Sequence, residues 1–213
     1  MFNQENLLLY ILLLGSGLFW IVTYILIIIR GYLDKNYGMP MVAICANISW
    51  EFIFTFIFPN FEIQKIITFI WFLLDIIILV QYLKYGRKEI KKGTSVDYFY
   101  LSFFITLAFS FLIIMAMTIE FNDILGKYAA FSQNLMMSGL FISLLLSRGN
   151  LSGQSIPIAI FKMLGTLFAA LAFFIYFRTH LITILSIATF IYDWIYIFLL
   201  QKFYRKNRFK VNL

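Results

Sequence analysis

Asn47-Ile48-Ser49-Trp50-Glu51-Phe52 places an amide, an indole and a carboxyl group inside an apolar run bounded by Pro40 and Pro59. If the run from Met41 to Phe58 is a membrane helix rising 1.5 Å per residue, Glu51 lies roughly 15 Å from its start, about the bilayer midplane. An ionisable side chain at that depth is expensive and marks a functional site by default. The bland alternative is a Glu bonded to neighbouring helices for packing alone, a task that Ser or Asn performs without an acid.

The rest of the chain has the composition that such a helix requires. Of 213 residues, 62% are hydrophobic, 20% aromatic and only 13% charged, with a mean hydropathy of +0.90. A water-soluble domain carries about a quarter charged residues to solvate its surface. The expectation is therefore an all-α polytopic membrane protein, organised as one domain over residues 1–213. Seven continuously apolar segments can be drawn: Asn6 to Ile29, Met41 to Phe58, Gln64 to Leu83, Tyr98 to Ile119, Leu125 to Leu146, Pro157 to Phe177 and Leu181 to Leu200. Each is close to the ~20 residues that cross the hydrocarbon as a helix. None shows the short apolar/polar alternation of a membrane barrel strand. Pro40 and Pro157 stand where helices begin and Pro59 where one ends, and Gly15-Ser16-Gly17 reads as a small-residue patch for close helix contact. The acidic start Met1-Phe2-Asn3-Gln4-Glu5 precedes a run too long for a signal-peptide core, so that run counts as the first span.

Basic residues orient the drawing. Seven crossings put thirteen Lys and Arg on one side, in the clusters Lys84 to Lys92 and Lys202 to Lys210 together with Arg30, Lys35 and Arg148. Only Lys65, Lys127 and Arg178 fall on the other side. The positive-inside rule then sets the N-terminus outside and the C-terminus in the cytoplasm. The clusters account for most of the +7 charge and suit anionic membrane lipid as a partner; a ten-residue basic tail beside a final span is a stop-transfer anchor and gives no reason to expect nucleic acid. Cys45 stands alone, as does His180, so neither a disulfide nor a Cys- or His-rich metal centre is expected. Asn47 and Asn150 each begin an Asn-X-Ser match, one inside a span and one on the cytoplasmic side, where neither is glycosylated.

Besides Glu51, the spans hold Asp75, Gln133, Asn134, Lys162 and Asp193. Asn47 shares a helix face with Glu51, Trp71 with Asp75, and Lys162 with Thr166, each pair being four residues apart. Tyr192, Trp194 and Tyr196 surround Asp193. Packed together, these faces give a cavity with three acids, one base, amides and aromatic walls; an ion pair of Lys162 with Asp75 or Asp193 is the plain structural expectation. A carboxyl group held out of water can keep its proton and act as a general acid, and aromatic faces stabilise cations. Protonation of an alkene or epoxide fits, and so does a proton-coupled transporter or channel that uses the acids as a relay. A scaffold or sensor would leave the acids without a purpose. There is no Gly-rich phosphate loop and no G-x-S-x-G elbow. The acids are too dispersed for an Asp-rich Mg²⁺-diphosphate motif, and the final span has Asp193 where a retinal protein needs Lys.

The segments Met39-Pro40, Ala46-Asn47, Trp50-Glu51-Phe52, Phe56 and Pro59 resemble the second-helix signature of the small integral-membrane terpene cyclases of fungal meroterpenoid and indole-diterpene pathways and their bacterial relatives. Asp193 with Tyr196 and Leu199-Leu200 is similar to that family's last helix, and Trp71 with Asp75, Gln133 with Met137, and Lys162 with Gly165-Thr166 are similar to its intermediate blocks. The resemblance implies a metal-independent cyclase without cofactors. Its substrate is a linear prenyl chain, free or attached to an aromatic or indole group, which it protonates at an epoxide or terminal alkene and finally deprotonates. It also implies that Glu51 and Asp193 are the acid pair, that Asn47 orients Glu51, that Trp50, Trp71 and Tyr196 line the pocket, and that Asp75, Gln133, Asn134 and Lys162 complete the polar network. The low Gly and Pro content and the Ile, Phe and Lys richness point to a bacterial inner membrane. Oligomeric state is left open.

Overall fold

The computed structural model describes residues 4–59, 62–89 and 96–211. Among them are seven α-helices: α1 Gln4–Asp34, α2 Met41–Phe52, α3 Glu62–Tyr85, α4 Val96–Glu120, α5 Lys127–Arg148, α6 Ile156–Tyr176 and α7 His180–Val211. A π-helical turn, Ile53–Ile57, prolongs α2, and a 3₁₀ turn, Gly86–Glu89, prolongs α3. No strand occurs among the described residues. Met1 to Asn3, ahead of the first span, and Lys91 and Lys92 of the basic count lie outside the described residues.

Each expected span finds its helix, with two differences. The helices α1 and α7 outrun their apolar cores: the i,i+4 pair Arg30–Asp34, 2.7 Å apart, closes the extra turn of α1, and the Lys- and Arg-rich stretch of good helix formers extends α7. The second span, Met41–Ile57, ends one residue before the expected Phe58 and is the shortest of the seven. Six helices are long and apolar enough to cross a membrane, whereas Met41–Ile57 is a shorter apolar helix. Pro40, extended at φ −62° and ψ 148°, opens α2; Phe58 N–H bonds back to Ile53 O at 2.8 Å, and Pro59 follows.

That short helix is the centre of the bundle. Every residue from Ala43 to Glu51 is buried, as expected of a helix apolar on all sides, and α3, α4 and α5 pack against it. Outside this core, α1 packs on α3 and α6, and α7 packs on α5 and α6. The outer faces expose Leu101, Phe104, Phe109 and Leu112 of α4 and Ile184, Ile187, Ile191 and Phe198 of α7. Apolar surface of that extent suits lipid and not water. Small residues let the helices approach: Gly15 sits against Phe168, Gly17 against Ile67, and Gly165 against the Trp20 ring. Ser16 Oγ between the two glycines donates to Gly165 O at 2.9 Å.

Arg148 closes one end of the bundle. Its guanidinium donates to Glu89 Oε1 at 2.7 Å, Tyr37 O at 2.8 Å, Ser152 O at 2.9 Å and Asn36 Oδ1 at 3.1 Å, and it stacks 4.1 Å from the Tyr37 ring centroid. Three connections, α1 to α2, the end of α3 and α5 to α6, are thereby pinned together. Tyr37 OH donates to Glu89 Oε2 at 2.7 Å. Burial first, and then this bond to an anion, push the Tyr37 hydroxyl up to about 12. A raised value means that the contact is intact below the ordinary tyrosine range and is lost as the pH rises towards 12.

Arg148→Ala strands a carboxylate and two carbonyls and lowers unfolding stability in detergent by roughly 2–3 kcal/mol. Glu89→Gln lowers it less, and the double substitution falls short of the sum, because both remove the same bonds; thermal melts of the four proteins check this.

Candidate active site

Five helices contribute to a chamber of about 160 Å³. On α1, Ser16, Trp20 and Tyr24 are spaced four residues apart and so share one face. Asn47, Trp50 and Glu51 come from α2, Gln64 and Trp71 from α3, Gln133, Asn134 and Met137 from α5, and Ala169 and Phe173 from α6. Glu51 stands two residues before the π-helical turn, a local feature that recurs at functional sites because the extra residue per turn redirects side chains. Two indoles are fixed by backbone oxygens: Trp50 Nε1 donates to Gly126 O at 2.9 Å and Trp71 Nε1 to Gly17 O at 3.3 Å. Gly126 has φ +65°, and a Cβ there would collide with the Phe54 ring, so the turn that holds Trp50 requires glycine.

Glu51 is 2% exposed. Its Oε1 accepts from Tyr24 OH at 3.2 Å, and Asn47 Nδ2 donates to the same Tyr24 oxygen at 2.7 Å. Asn47 thus orients Glu51 through Tyr24. Among the described residues no hydrogen bond reaches Glu51 Oε2 or either oxygen of the fully buried Asp75. The Asp75 carboxyl adjoins that of Glu51 across the α2–α3 contact. Two facing carboxylates would be acceptors only; a proton on one of them provides the donor that the pair lacks.

A second cluster lies beside the chamber. Lys162 Nζ is 2.7 Å from Asp193 Oδ1, with both side chains buried, and also meets Ser138 Oγ at 2.6 Å and Asn134 Oδ1 at 3.3 Å. Ser138 Oγ donates to Asp193 Oδ1 at 2.8 Å, and Asn134 Nδ2 donates to Thr166 Oγ1 at 2.8 Å. The ammonium is 5.8 Å from the Trp20 ring centroid. Asn134 and Trp20, which line the chamber, are therefore the links between this ion pair and the cavity.

Most expected site residues meet here, with exceptions that have physical reasons. Glu51, Asn47, Trp50, Trp71, Gln133 and Asn134 line the chamber, and Asp75 stands behind Glu51. Asp193 does not join Glu51: α7 contributes nothing to the chamber wall, and the buried ammonium of Lys162 on the adjoining α6 claims its carboxylate. Tyr196 is not a wall residue either. Its ring packs on Phe141 and its hydroxyl donates to Gln154 Oε1 at 2.8 Å. Tyr24, Trp20 and Ser138 belong to the site without having been singled out; the four-residue spacing of Trp20 and Tyr24 on an apolar helix was the available signal.

With this geometry in hand, the likeness to known proteins can be placed on it. The family model of Pyr4-like transmembrane terpene cyclases matches residues 2–206. The Pyr4-family terpene cyclase mfmH of Annulohypoxylon moriforme is 32% identical over 215 residues, covering 94% of this chain and 88% of that protein. Terpene cyclase macJ of Penicillium terrestre is 28% identical, covering 78% of this chain and 65% of its own length. Asnovolin H synthase nvfL of Aspergillus novofumigatus is 31% identical over 70% of this chain and 63% of its own. No solved structure matches. These relatives are fungal, and the bacterial inner membrane expected from composition finds no support among them.

Breaking the buried pair tests the second cluster. Lys162→Met or Asp193→Asn leaves one uncompensated partner and destabilises the protein by about 3–5 kcal/mol, while Lys162→Met combined with Asp193→Leu recovers most of the loss; unfolding curves in detergent measure all three.

Proposed function

The chain belongs to the Pyr4-like transmembrane terpene cyclases, and from that membership we propose that Glu51 protonates the terminal alkene or epoxide of a linear prenyl chain bound in the chamber. The observation that carries the reading is the carboxyl of Glu51, paired with Asp75 and turned into a cavity walled by Trp20, Trp50, Trp71, Phe131 and Phe173. The proton forms a bond to the CH carbon of the terminal alkene, leaving a tertiary cation on its dimethyl carbon, or to the epoxide oxygen. The resulting cation, or the opening C–O bond, is attacked by the next π-bond of the chain, which forms the ring carbon–carbon bond. The aromatic faces stabilise the travelling positive charge, and loss of a proton from carbon ends the sequence with the atoms of the substrate conserved. Asp75 shares the proton of Glu51 and keeps it in place until substrate arrives. Asp193 acts as a positioning residue: with Lys162 and Ser138 it fixes Asn134 and Trp20 at the chamber wall. The chemistry is proposed to run without a metal; among the described residues no three His, Cys, Asp or Glu side chains gather.

The proton-coupled transporter or channel has less in its favour. Beyond Tyr24, Asn47 and Met137 the bundle is filled by Ile27, Ile44, Phe141 and Leu145, all buried in one core, which suits a closed reaction chamber better than a path between two aqueous faces. We further propose that α2 and the other six helices all cross the bilayer, with the N-terminus outside and the clustered basic residues in the cytoplasm.

Glu51→Gln keeps the shape and removes the transferable proton, so product formation falls by at least ~100-fold while the protein stays folded in the membrane. Membranes are incubated with linear prenylated compounds, with and without a terminal epoxide, and mass spectrometry follows isomers of unchanged mass; full activity in the variant removes the mechanism. Orientation is checked in intact bacterial host cells: a membrane-impermeant maleimide labels Glu120→Cys directly and Asn150→Cys only after lysis. The reverse pattern inverts the topology.

A further inference from the structure

The chamber has polar groups at both extremities, with mostly apolar walls between them apart from Ser16, Gln133 and Asn134. Leu9 and Tyr24 both line it from α1, and fifteen residues of helix separate them by about 22 Å along the axis. At the deep end stand Tyr24, Asn47 and Glu51. At the other end, where α3 and α5 begin and α6 stops, the lining residues include Gln64, Lys127 and Phe177. Lys127 is the first residue of α5 and is half-buried. Its ammonium stands 5.1 Å from the Tyr128 ring centroid, and among the described residues it forms no ion pair. Further in on the same helix, Gln133 also lines the chamber, and its buried Oε1 receives no hydrogen bond. A buried amide oxygen without a donor is a vacancy that a ligand hydroxyl can fill.

Building on the cyclase reading above, we infer that the substrate carries an ionised oxygen on its polar end, held by Lys127 at the mouth, with the far end of its prenyl chain delivered to Glu51. A cation with no counter-ion among the described residues, at the rim of a largely apolar cavity, attracts an anionic head and leaves the tail to enter first. The carboxylate, phenolate or enolate of a prenylated acid or phenol has the charge for Lys127, and a neighbouring hydroxyl on such a head has the donor for Gln133. Lys127 is then a specificity-determining residue: it acts on binding and leaves the barrier of the protonation step alone.

The test compares an all-trans farnesyl chain attached to a hydroxybenzoic acid with the methyl ester of the same compound. The wild type has a KM for the acid at least ten-fold below that for the ester. Lys127→Met raises the KM for the acid about ten-fold, leaves that for the ester unchanged and holds kcat within two-fold for both. Lys127→Glu raises the KM for the acid further, and Lys127→Arg restores it. Binding of acid and ester is followed in parallel through the fluorescence of the chamber tryptophans in Glu51→Gln protein. A preference for the acid that vanishes with Lys127→Met supports the inference even where no isomer forms, an outcome that would count against the cyclase reading alone. Equal binding of acid and ester, unaffected by Lys127→Met, overturns the inference and leaves the cyclase reading standing.

Discussion

An ammonium ion inside an apolar helical bundle must have a counter-charge, and Lys162 takes Asp193. The pair is 2.7 Å apart and sealed from solvent, so it joins α6 to α7, and Ser138 adds α5 to the same knot. Its energetic value lies less in net stabilisation than in what its loss would expose, since an unpaired buried charge is far more costly than the pair. That pairing also divides the acids by task. Asp193 is paired with Lys162, whereas among the described residues Glu51 and Asp75 form no ion pair and have three carboxyl oxygens without a donor. In the proposed mechanism the transferable proton is therefore placed on α2, at the wall of the chamber.

The arrangement around Glu51 follows from a short central helix that is enclosed by its neighbours. Pro40 and Pro59 bracket α2, its middle turns are enclosed on every side, and the π-helical turn follows directly after the acid. Enclosure excludes water, aromatic rings wall the chamber, and Tyr24, itself bonded by Asn47, donates to the carboxyl group. At the opposite end of the bundle Arg148 ties three connections together, so the helices that carry the chamber are held from the side where no chemistry is placed. The rigid end and the open end are thus distinct.

Much of this was legible in the residues. Continuous apolar runs of about twenty residues leave one solution in a bilayer, and an acid within such a run is conspicuous because nothing in packing requires it. Proline positions fixed the limits of α2 but not its π-helical turn, which depends on how Phe58 and Pro59 leave the helix. The partner of Lys162 could be narrowed to two aspartates and no further, because the choice is made by the α6–α7 contact and not by spacing along the chain. Tyr196 misled for a related reason: three residues after Asp193 it shares a helix face in projection, yet it lies a turn beyond the site and bonds Gln154. Tyr24 passed unseen as one of thirteen tyrosines, its importance arising only when α1 meets α2. Arg148 is likewise a single base in the orientation count until three loops converge on it.

The central claim, that the Glu51 carboxyl transfers its proton to carbon, is tested most directly by running the reaction in deuterated water with a substrate that ends in an alkene. A cyclised product with one non-exchangeable deuteron on the carbon that was the CH of the terminal alkene, and none of that product from Glu51→Gln protein, is the predicted result. A product without deuterium at that carbon, or the same labelled product from the Glu51→Gln protein, contradicts it.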